Sequence, residues 1–329
     1  MRYHVKTEKG IKCLLCRHYC NLAEGQTGIC RVNMNEGGQL RNTVYGRAAA
    51  SHVDPVEKKP LYHFLPGTKA FSIGTVGCNL HCPFCQNWQI SQTESLSFSR
   101  YITPRQIVES AMDAGCKSIA YTYNEPTVFY PFARDVALLA HENGLRNIFV
   151  TNGMESPEVI EDMKGLIDAF NVDLKSFDRD YYRRVLKGSL DAVLDTLRLL
   201  RRNGAWLEVT TLVVPGQNDG EKELSQIAAF IADELGEHTP WHISAFYPNY
   251  KMRQLPPTSY VALQRAAKAG AEQGLKYIYK GNISEPGITF CPECGRRLIV
   301  RDFYSISDNA LRNSGVCPYC QTKIQGIWK

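Results

Sequence analysis

Ala70-Phe71-Ser72-Ile73-Gly74-Thr75, followed after Val76 by Gly77-Cys78-Asn79-Leu80-His81-Cys82-Pro83-Phe84-Cys85-Gln86-Asn87-Trp88, is the stretch from which the rest of the chain can be read. The first six residues form a short apolar run that predicts a β-strand. The loop after it carries Cys78, Cys82 and Cys85 at C-x3-C-x2-C. Three thiolates on one short loop can converge on one iron-sulfur cluster, and because the spacing supplies only three, one iron stays open to a non-protein ligand. An open iron is a reactive iron. The alternative is a zinc knuckle that takes a fourth ligand from elsewhere in the chain. Phe84, between the second and third cysteines, counts among the cofactor-binding candidates.

From this strand onward, apolar runs alternate with longer amphipathic ones. Strands are predicted at 118–122, 146–151, 169–173, 207–214 and 241–246, with helices near 127–143, 156–166, 190–203, 221–235 and 258–273. Thr103-Pro104 opens a helix through residue 114, with Thr as cap and Pro in the first turn, and Gly144, Gly204 and Gly274 mark helix stops. Six strands each followed by a helix predict an α/β fold, a partial (β/α)6 TIM-like barrel whose chemistry belongs on the loops after the carboxyl ends of the strands. The three-cysteine loop follows the first of those strands. The division that results is residues 1–69 as an N-terminal four-cysteine metal module with a connecting arm, 70–287 as the barrel, and 288–329 as a C-terminal zinc-ribbon or rubredoxin-like module.

Those two flanking modules rest on cysteines. Cys13, Cys16, Cys20 and Cys30 lie at C-x2-C-x3-C-x9-C, a complete ligand set within 18 residues, and the spacing admits either zinc or a second iron-sulfur cluster. Cys291, Cys294, Cys317 and Cys320 form C-x2-C-x22-C-x2-C, two knuckles with turn-forming Pro and Gly, which points to zinc in a module too small to fold well alone. Of the twelve cysteines only Cys116 stands apart, in an apolar stretch where a small core residue is expected. The arm at 54–64 mixes charge with aromatics and is either a packed surface arm or part of a site mouth.

The net charge of +5 would be a mild hint of nucleic acid if it were spread evenly. It is not. Residues 1–40 hold six Lys or Arg against three acids, residues 288–329 also six against three, and the remaining 247 residues 26 against 27. The excess sits beside the cysteine-rich ends, where thiolate-metal centres of net negative charge would be offset by it. The neutral centre argues against phosphate binding, and with it against the rival reading of a non-catalytic multi-metal adaptor contacting RNA. The polar start Met1-Arg2-Tyr3-His4-Val5-Lys6 and the lack of an 18-residue apolar run predict neither a signal peptide nor a membrane span, hence a cytoplasmic protein with no membrane partner.

The strand ends carry polar residues that a purely structural barrel does not need: Tyr123-Asn124-Glu125-Pro126, Thr151-Asn152-Gly153 and Asp173-Leu174-Lys175. An amino acid bound at an iron needs an acceptor for its ammonium and a cation for its carboxylate, and a ribose needs hydroxyl partners; Glu125, Lys175 and Asp173 supply that set. With these residues the chain resembles the radical SAM superfamily, in its pyruvate formate-lyase activating enzyme branch and most nearly the radical SAM member of the AmmeMemoRadiSam system. The supporting stretches are residues 57–67 and 78–88, Tyr123-Asn124-Glu125-Pro126-Thr127, Asp173-Leu174-Lys175, Val213-Val214-Pro215-Gly216 and Tyr279-Lys280-Gly281-Asn282. The resemblance implies a 4Fe-4S cluster on Cys78, Cys82 and Cys85 and bound S-adenosylmethionine. It places Glu125 at the amino group, with Asn124 beside it, Thr151 and Asn152 near the ribose, and Asp173 and Lys175 at ribose and carboxylate. It further implies an electron donor such as flavodoxin or ferredoxin, and a protein, peptide or small-molecule substrate that loses hydrogen. The family's usual Gly-Gly-Glu is here Tyr123-Asn124-Glu125, and Val150 stands where some members carry an acid.

Overall fold

Apolar runs of four to eight residues, too short for helices of that burial, give strands when both faces can be covered. In the computed structural model, which describes residues 3–97, 99–312 and 314–329, they do; Met1 and Arg2 of the polar start lie outside the described residues. The central sheet has eight strands: β1 (Ala50–Pro55), β2 (Lys69–Gly74), β3 (Ser118–Tyr121), β4 (Arg146–Thr151), β5 (Ala169–Asp173), β6 (Trp206–Val213), β7 (Trp241–Ala245) and β8 (Ile278–Gly281). Their order is β8-β7-β6-β5-β4-β3-β2-β1. Neighbours from β2 to β8 run parallel, and β1 pairs antiparallel with β2. The edges β1 and β8 do not pair with each other, so the barrel is open. The six predicted strands are all present; β1 and β8 extend the sheet at either side.

Six α-helices cover the sheet: α1 (Pro104–Asp113), α2 (Tyr130–Glu142), α3 (Pro157–Met163), α4 (Leu190–Arg202), α5 (Glu221–Phe230) and α6 (Tyr260–Glu272). Thr103 caps α1 as its sequence predicts, accepting from the Gln106 amide while the Gln106 side chain accepts from the Thr103 amide. On α4, Leu190, Val193, Leu194, Leu197 and Leu200 form the buried stripe, each worth about 1.5–3 kcal/mol of burial. Gly144, Gly204 and Gly274 end their helices at positive φ (73°, 77° and 83°). The predicted helix at 127–143 opens instead with a 3-10 turn, Pro126–Phe129, and the one at 221–235 closes with a wider π turn, Ile231–Leu235.

The floor of the barrel is closed by the arm. Leu61, His63 and Phe64 are fully buried, and Phe64 packs with Ala70, Ala120, Ile148 and Ala169 near the amino ends of β2 to β5. Backbone amides of Tyr62 and His63 donate to the carboxylate of Glu208 on β6, at 3.0 and 2.8 Å. The arm therefore runs through the interior.

The C-terminal module is a three-stranded antiparallel sheet, β9 (Gly287–Phe290), β10 (Arg297–Asp302) and β11 (Ser305–Asn309). It shares a core with Tyr62, Tyr277 and Tyr279. Arg301, fully buried, donates to the Tyr62 carbonyl (2.6 Å) and the Thr289 hydroxyl (2.9 Å) and lies 3.7 Å from Glu57. Cys116 is buried in the core, as expected. Among the described residues no helix is long and apolar enough to cross a membrane.

His63 joins these parts: its Nδ1 donates to the Gln325 carbonyl (2.7 Å) and its Nε2 accepts from the Tyr279 hydroxyl (2.6 Å). Burial pushes its pKa down to about 4, against the opposing pull of Glu208. The unfolded chain takes up a proton near pH 6.5 that the native state refuses, so stability should fall as pH drops from about 6.5 toward about 4, by up to roughly 3 kcal/mol. Urea denaturation at pH 7, 5.5 and 4.5 checks this, and His63→Gln should flatten the dependence.

Candidate active site

At the carboxyl end of the sheet the strands open into a cavity of about 860 Å³, within the ~300–1,000 Å³ usual for small-molecule sites. Cys78, Cys82, Cys85, Phe84, Asn124, Glu125, Thr151, Asn152, Asp173 and Lys175 all border it. The structure thus brings together on one wall every residue expected around the three-cysteine loop.

That loop leaves β2 and turns at Gly77, whose φ is +88° and where a Cβ would come within 2.7 Å of the Cys30 carbonyl. Only glycine lets the loop pass so close to the N-terminal module. Asn124 secures the turn, donating to the Gly77 carbonyl (2.7 Å) and accepting from the Thr75 amide (3.0 Å). Its side chain is thereby committed to the loop backbone. The Cys78 sulfur accepts from the Leu80 amide (3.4 Å) and from Asn152 (3.8 Å), and the Cys85 sulfur lies 3.1 Å from the Ser91 hydroxyl. Burial, with Glu125 adding to it, pushes the Cys78 thiol well up; burial also lifts Cys82, to about 12, although Lys175 works against it. Two thiols that resist ionising alone, with Cys85 on the same loop, form a donor set suited to a polycationic iron core.

Glu125, nearly fully buried, accepts from the Thr127 amide (3.0 Å), the Thr151 hydroxyl (2.9 Å) and the Asn152 amide (2.8 Å). It caps the turn Pro126–Phe129, so it has a structural duty as well as a face on the cavity. The Thr151 hydroxyl also hydrogen-bonds Glu155, which is fully buried. One hydroxyl proton cannot serve two carboxylates, so the two contacts together require a proton on one of these acids. Burial, then the neighbouring Glu125, raises Glu155 to about 7. Lys175 pairs with Asp173 at 2.6 Å, while Asp178 caps the next turn through the amides of Asp180 and Tyr181. Burial alone would depress the Lys175 ammonium, but Asp173 and Cys82 hold it above the usual lysine range.

The mouth is walled in part by the C-terminal module: Phe303 and Tyr304 are exposed there, as is Tyr247 from the barrel. The four C-terminal sulfurs of Cys291, Cys294, Cys317 and Cys320 lie within 4.8 Å of one another. Cys13, Cys16, Cys20 and Cys30 line a separate pocket bordered by Thr127 and Val128. Sequence reasoning missed Asn79, Ser91, Glu155 and His242 near the site. Asn79 adjoins Cys78 inside the quoted loop, and Glu155 follows Thr151-Asn152-Gly153-Met154, so position in the motifs was the available signal.

The sequence model of the radical SAM superfamily matches residues 72–228, and an uncharacterized protein of Methanocaldococcus jannaschii is 41% identical over 309 residues, covering 93% of this chain and 92% of that one. The chain belongs to the radical SAM superfamily. A protein of the same organism described as a glycyl-radical enzyme activating enzyme is similar at 30% identity over 166 residues, 48% of this chain and 66% of the relative, in keeping with the activating-enzyme branch. Among solved structures, Streptococcus suis SuiB bound to S-adenosylmethionine matches with a TM-score of 0.52 at 12% identity, over 69% of this chain and 53% of that chain, a likeness of fold. Radical SAM membership makes the protein an enzyme, implies a 4Fe-4S cluster and S-adenosylmethionine, and sets aside the adaptor reading.

The Glu125–Glu155 pair gives a pH signature. A carboxyl raised to about 7 contributes stability that is complete below its unfolded value near 4.5 and lost as pH rises through about 7. The protein should therefore weaken between about pH 4.5 and 7 by up to roughly 3 kcal/mol on this account, opposite in sign to the His63 effect and with no further change above about pH 7. Glu155→Gln, which keeps the shape and cannot ionise, should remove that decline in thermal melts across the range.

Proposed function

We propose that this radical SAM enzyme spends one electron from a reductant to cleave S-adenosylmethionine and then takes hydrogen from a substrate, as glycyl-radical activating enzymes do. The observation that carries the reading is the convergence of Cys78, Cys82 and Cys85 with Glu125 and Lys175 on one cavity at the carboxyl ends of parallel strands. When bound, the cluster and S-adenosylmethionine supply a 5'-deoxyadenosyl radical by one-electron scission of a carbon-sulfur bond, with methionine as the other product.

In this reading the three thiolates hold the cluster, and the donors near Cys78 and Cys85 soften their charge. Glu125, whose carboxyl burial raises against the pull of its three donors, receives the ammonium of the cofactor, which favours its charged form. Lys175 turns from Asp173 to the carboxylate, which frees Asp173 for a ribose hydroxyl, with Thr151 and Asn152 alongside. Phe84 packs the loop against the core and keeps water from the cluster. The closed barrel floor leaves substrate a single side of approach, between the ribbon and the strand ends. Exposed Phe303, Tyr304 and Tyr247 at that mouth favour a protein or peptide substrate over a small one. A flavodoxin or ferredoxin in the cytoplasm suits the electron requirement. The narrow C-terminal cysteine spacing favours a structural zinc, and the division at residues 69 and 287 remains our working description of the modules.

Replacing Cys78, Cys82 and Cys85 together with Ala should abolish 5'-deoxyadenosine formation under reduction; continued production in the triple variant overturns the assignment. Each charge-assisted contact to the cofactor is worth on the order of 1.5–3 kcal/mol, so Glu125→Gln and Lys175→Met should each weaken S-adenosylmethionine binding by roughly ten to a hundredfold in calorimetric titrations of the cluster-loaded protein. Glu125→Gln should also lower the melting temperature modestly through its cap, whereas Lys175→Met should not. Unchanged affinity with a large loss of stability in both would reject the clamp.

A further inference from the structure

The four N-terminal cysteines have no part in the reading above. Cys13 ends the strand Gly10–Cys13, and its amide donates to the Cys20 carbonyl at 2.9 Å, closing the loop that carries Cys16. Cys13, Cys16 and Cys30 are buried and Cys20 half-buried, and all four line one pocket with Leu15, Leu22 and Val128. Yet no three of their sulfurs lie within 4.8 Å of one another; among the described residues only the C-terminal set meets that spacing.

The difference is diagnostic. A single ion with metal–sulfur bonds of about 2.3 Å draws tetrahedral thiolates to within about 4 Å of each other. The C-terminal sulfurs have that separation, 3.5 Å for Cys291 and Cys320 and 3.7 Å for Cys294 and Cys317. A cube of four irons and four sulfides stands between its thiolates, one to each iron, and holds them farther apart. The N-terminal sulfurs border one pocket yet stand farther apart than a single ion would hold them, which is the second manner.

An independent observation comes from Asn79. It is fully buried, its Oδ1 accepts from Asn152 (2.8 Å) and lies 4.0 Å from the Cys78 sulfur, and its Nδ2 has no hydrogen-bond partner within the protein. The same side chain is close enough to Cys16 to act on its thiol. A buried Nδ2–H beside Cys16 with no other partner calls for a charged acceptor there, which the thiolates of a metal centre, and in a cluster its sulfides as well, would provide. His18 Nε2, 2.8 Å from the Asn79 carbonyl, adds a second tie between module and loop.

We propose that Cys13, Cys16, Cys20 and Cys30 hold a second 4Fe-4S cluster, a one-electron carrier set against the radical SAM loop through Asn79. With four thiolates no iron is left open, so this centre binds no S-adenosylmethionine; it accepts one electron from a low-potential donor and passes one on, making and breaking no bond to carbon. The carrier role rests on the proposed function, whereas the cluster itself does not.

The test is metal and sulfide analysis with electron paramagnetic resonance on the full chain, reconstituted anaerobically with iron, sulfide and zinc together. The wild type should hold about eight iron, about eight sulfide and about one zinc, and the Cys78/Cys82/Cys85→Ala variant about four, four and one. That variant should give a reduced-cluster signal with dithionite that S-adenosylmethionine does not alter. About four iron with about two zinc in the wild type overturns the proposal, and needs no variant to fold. A remaining cluster that dithionite cannot reduce overturns the carrier role. Eight irons without 5'-deoxyadenosine formation would sink the proposed function and leave the second cluster standing.

Discussion

One buried carboxylate, that of Glu208, holds the parts of this protein in register. It accepts from the amides of Tyr62 and His63, from Trp206 Nε1 (2.9 Å) and from His242 Nε2 (2.6 Å). Burial alone would raise its pKa, but the bond from His242, with its neighbours, keeps it below the usual carboxylate value. A buried charge is tolerable only when every lone pair is met, and removing one partner from such a set is strongly destabilising. Two of those donors belong to the arm, one to β6 and one to β7, so the arm cannot leave without stranding the charge. Through Tyr62 and His63 the same network reaches Arg301, Thr289 and Gln325 in the tail.

Closing the floor in this way fixes where chemistry can occur. Parallel strands already direct their loops to one end, and with the other end filled, the cavity has one mouth. Its lining carries the three thiols with Glu57, Glu125, Asp173 and Glu285, and among them Lys58, Lys59, Lys175 and Lys280. Nearby, Asp54 is met by Lys58, Lys59 and the Tyr123 hydroxyl at 2.7–2.8 Å, a self-compensated cluster. Of the thiols, Cys82 has Lys175 nearby, whereas Cys78 faces Glu125. Burial and Glu125 keep the Cys78 thiol from ionising alone, and a cationic core would relieve both, so this corner of the cavity agrees with the cluster of the family.

The alternation of strands and helices was legible because parallel strands buried on both faces read as short, mostly apolar runs, as at residues 118–121 and 241–245. β1 was not, because Ala50-Ser51-His52-Val53-Asp54-Pro55 is a largely exposed edge strand with no apolar run to announce it. The cysteine loop was legible from spacing, and Glu125, Asp173 and Lys175 from their places at strand ends. Asn79, Glu155 and Glu208 were not, because their importance comes from partners far away in sequence: Asn152 for Asn79, Glu125 for Glu155, and Tyr62 for Glu208. Polar residues inside a strand or next to a motif carry no local mark of the charge or amide that will face them.

The three cysteine sets illustrate the same point at the level of chemistry. All contain C-x2-C, so the repeat itself does not separate zinc from iron. What separates them is their setting. The C-terminal sulfurs stand close together, two of them exposed, in a small sheet fastened to the barrel. The loop after β2 has three sulfurs facing an open cavity that holds the complement for an amino-acid ligand. The N-terminal set is buried, spread, and bound to the back of that cavity, since the Arg17 amide donates to Met154 and the Ser156 amide to Leu15, both across the loop that follows β4. Docking by itself does not tell the two flanking modules apart, since both are fastened to the barrel; the separation of their sulfurs does.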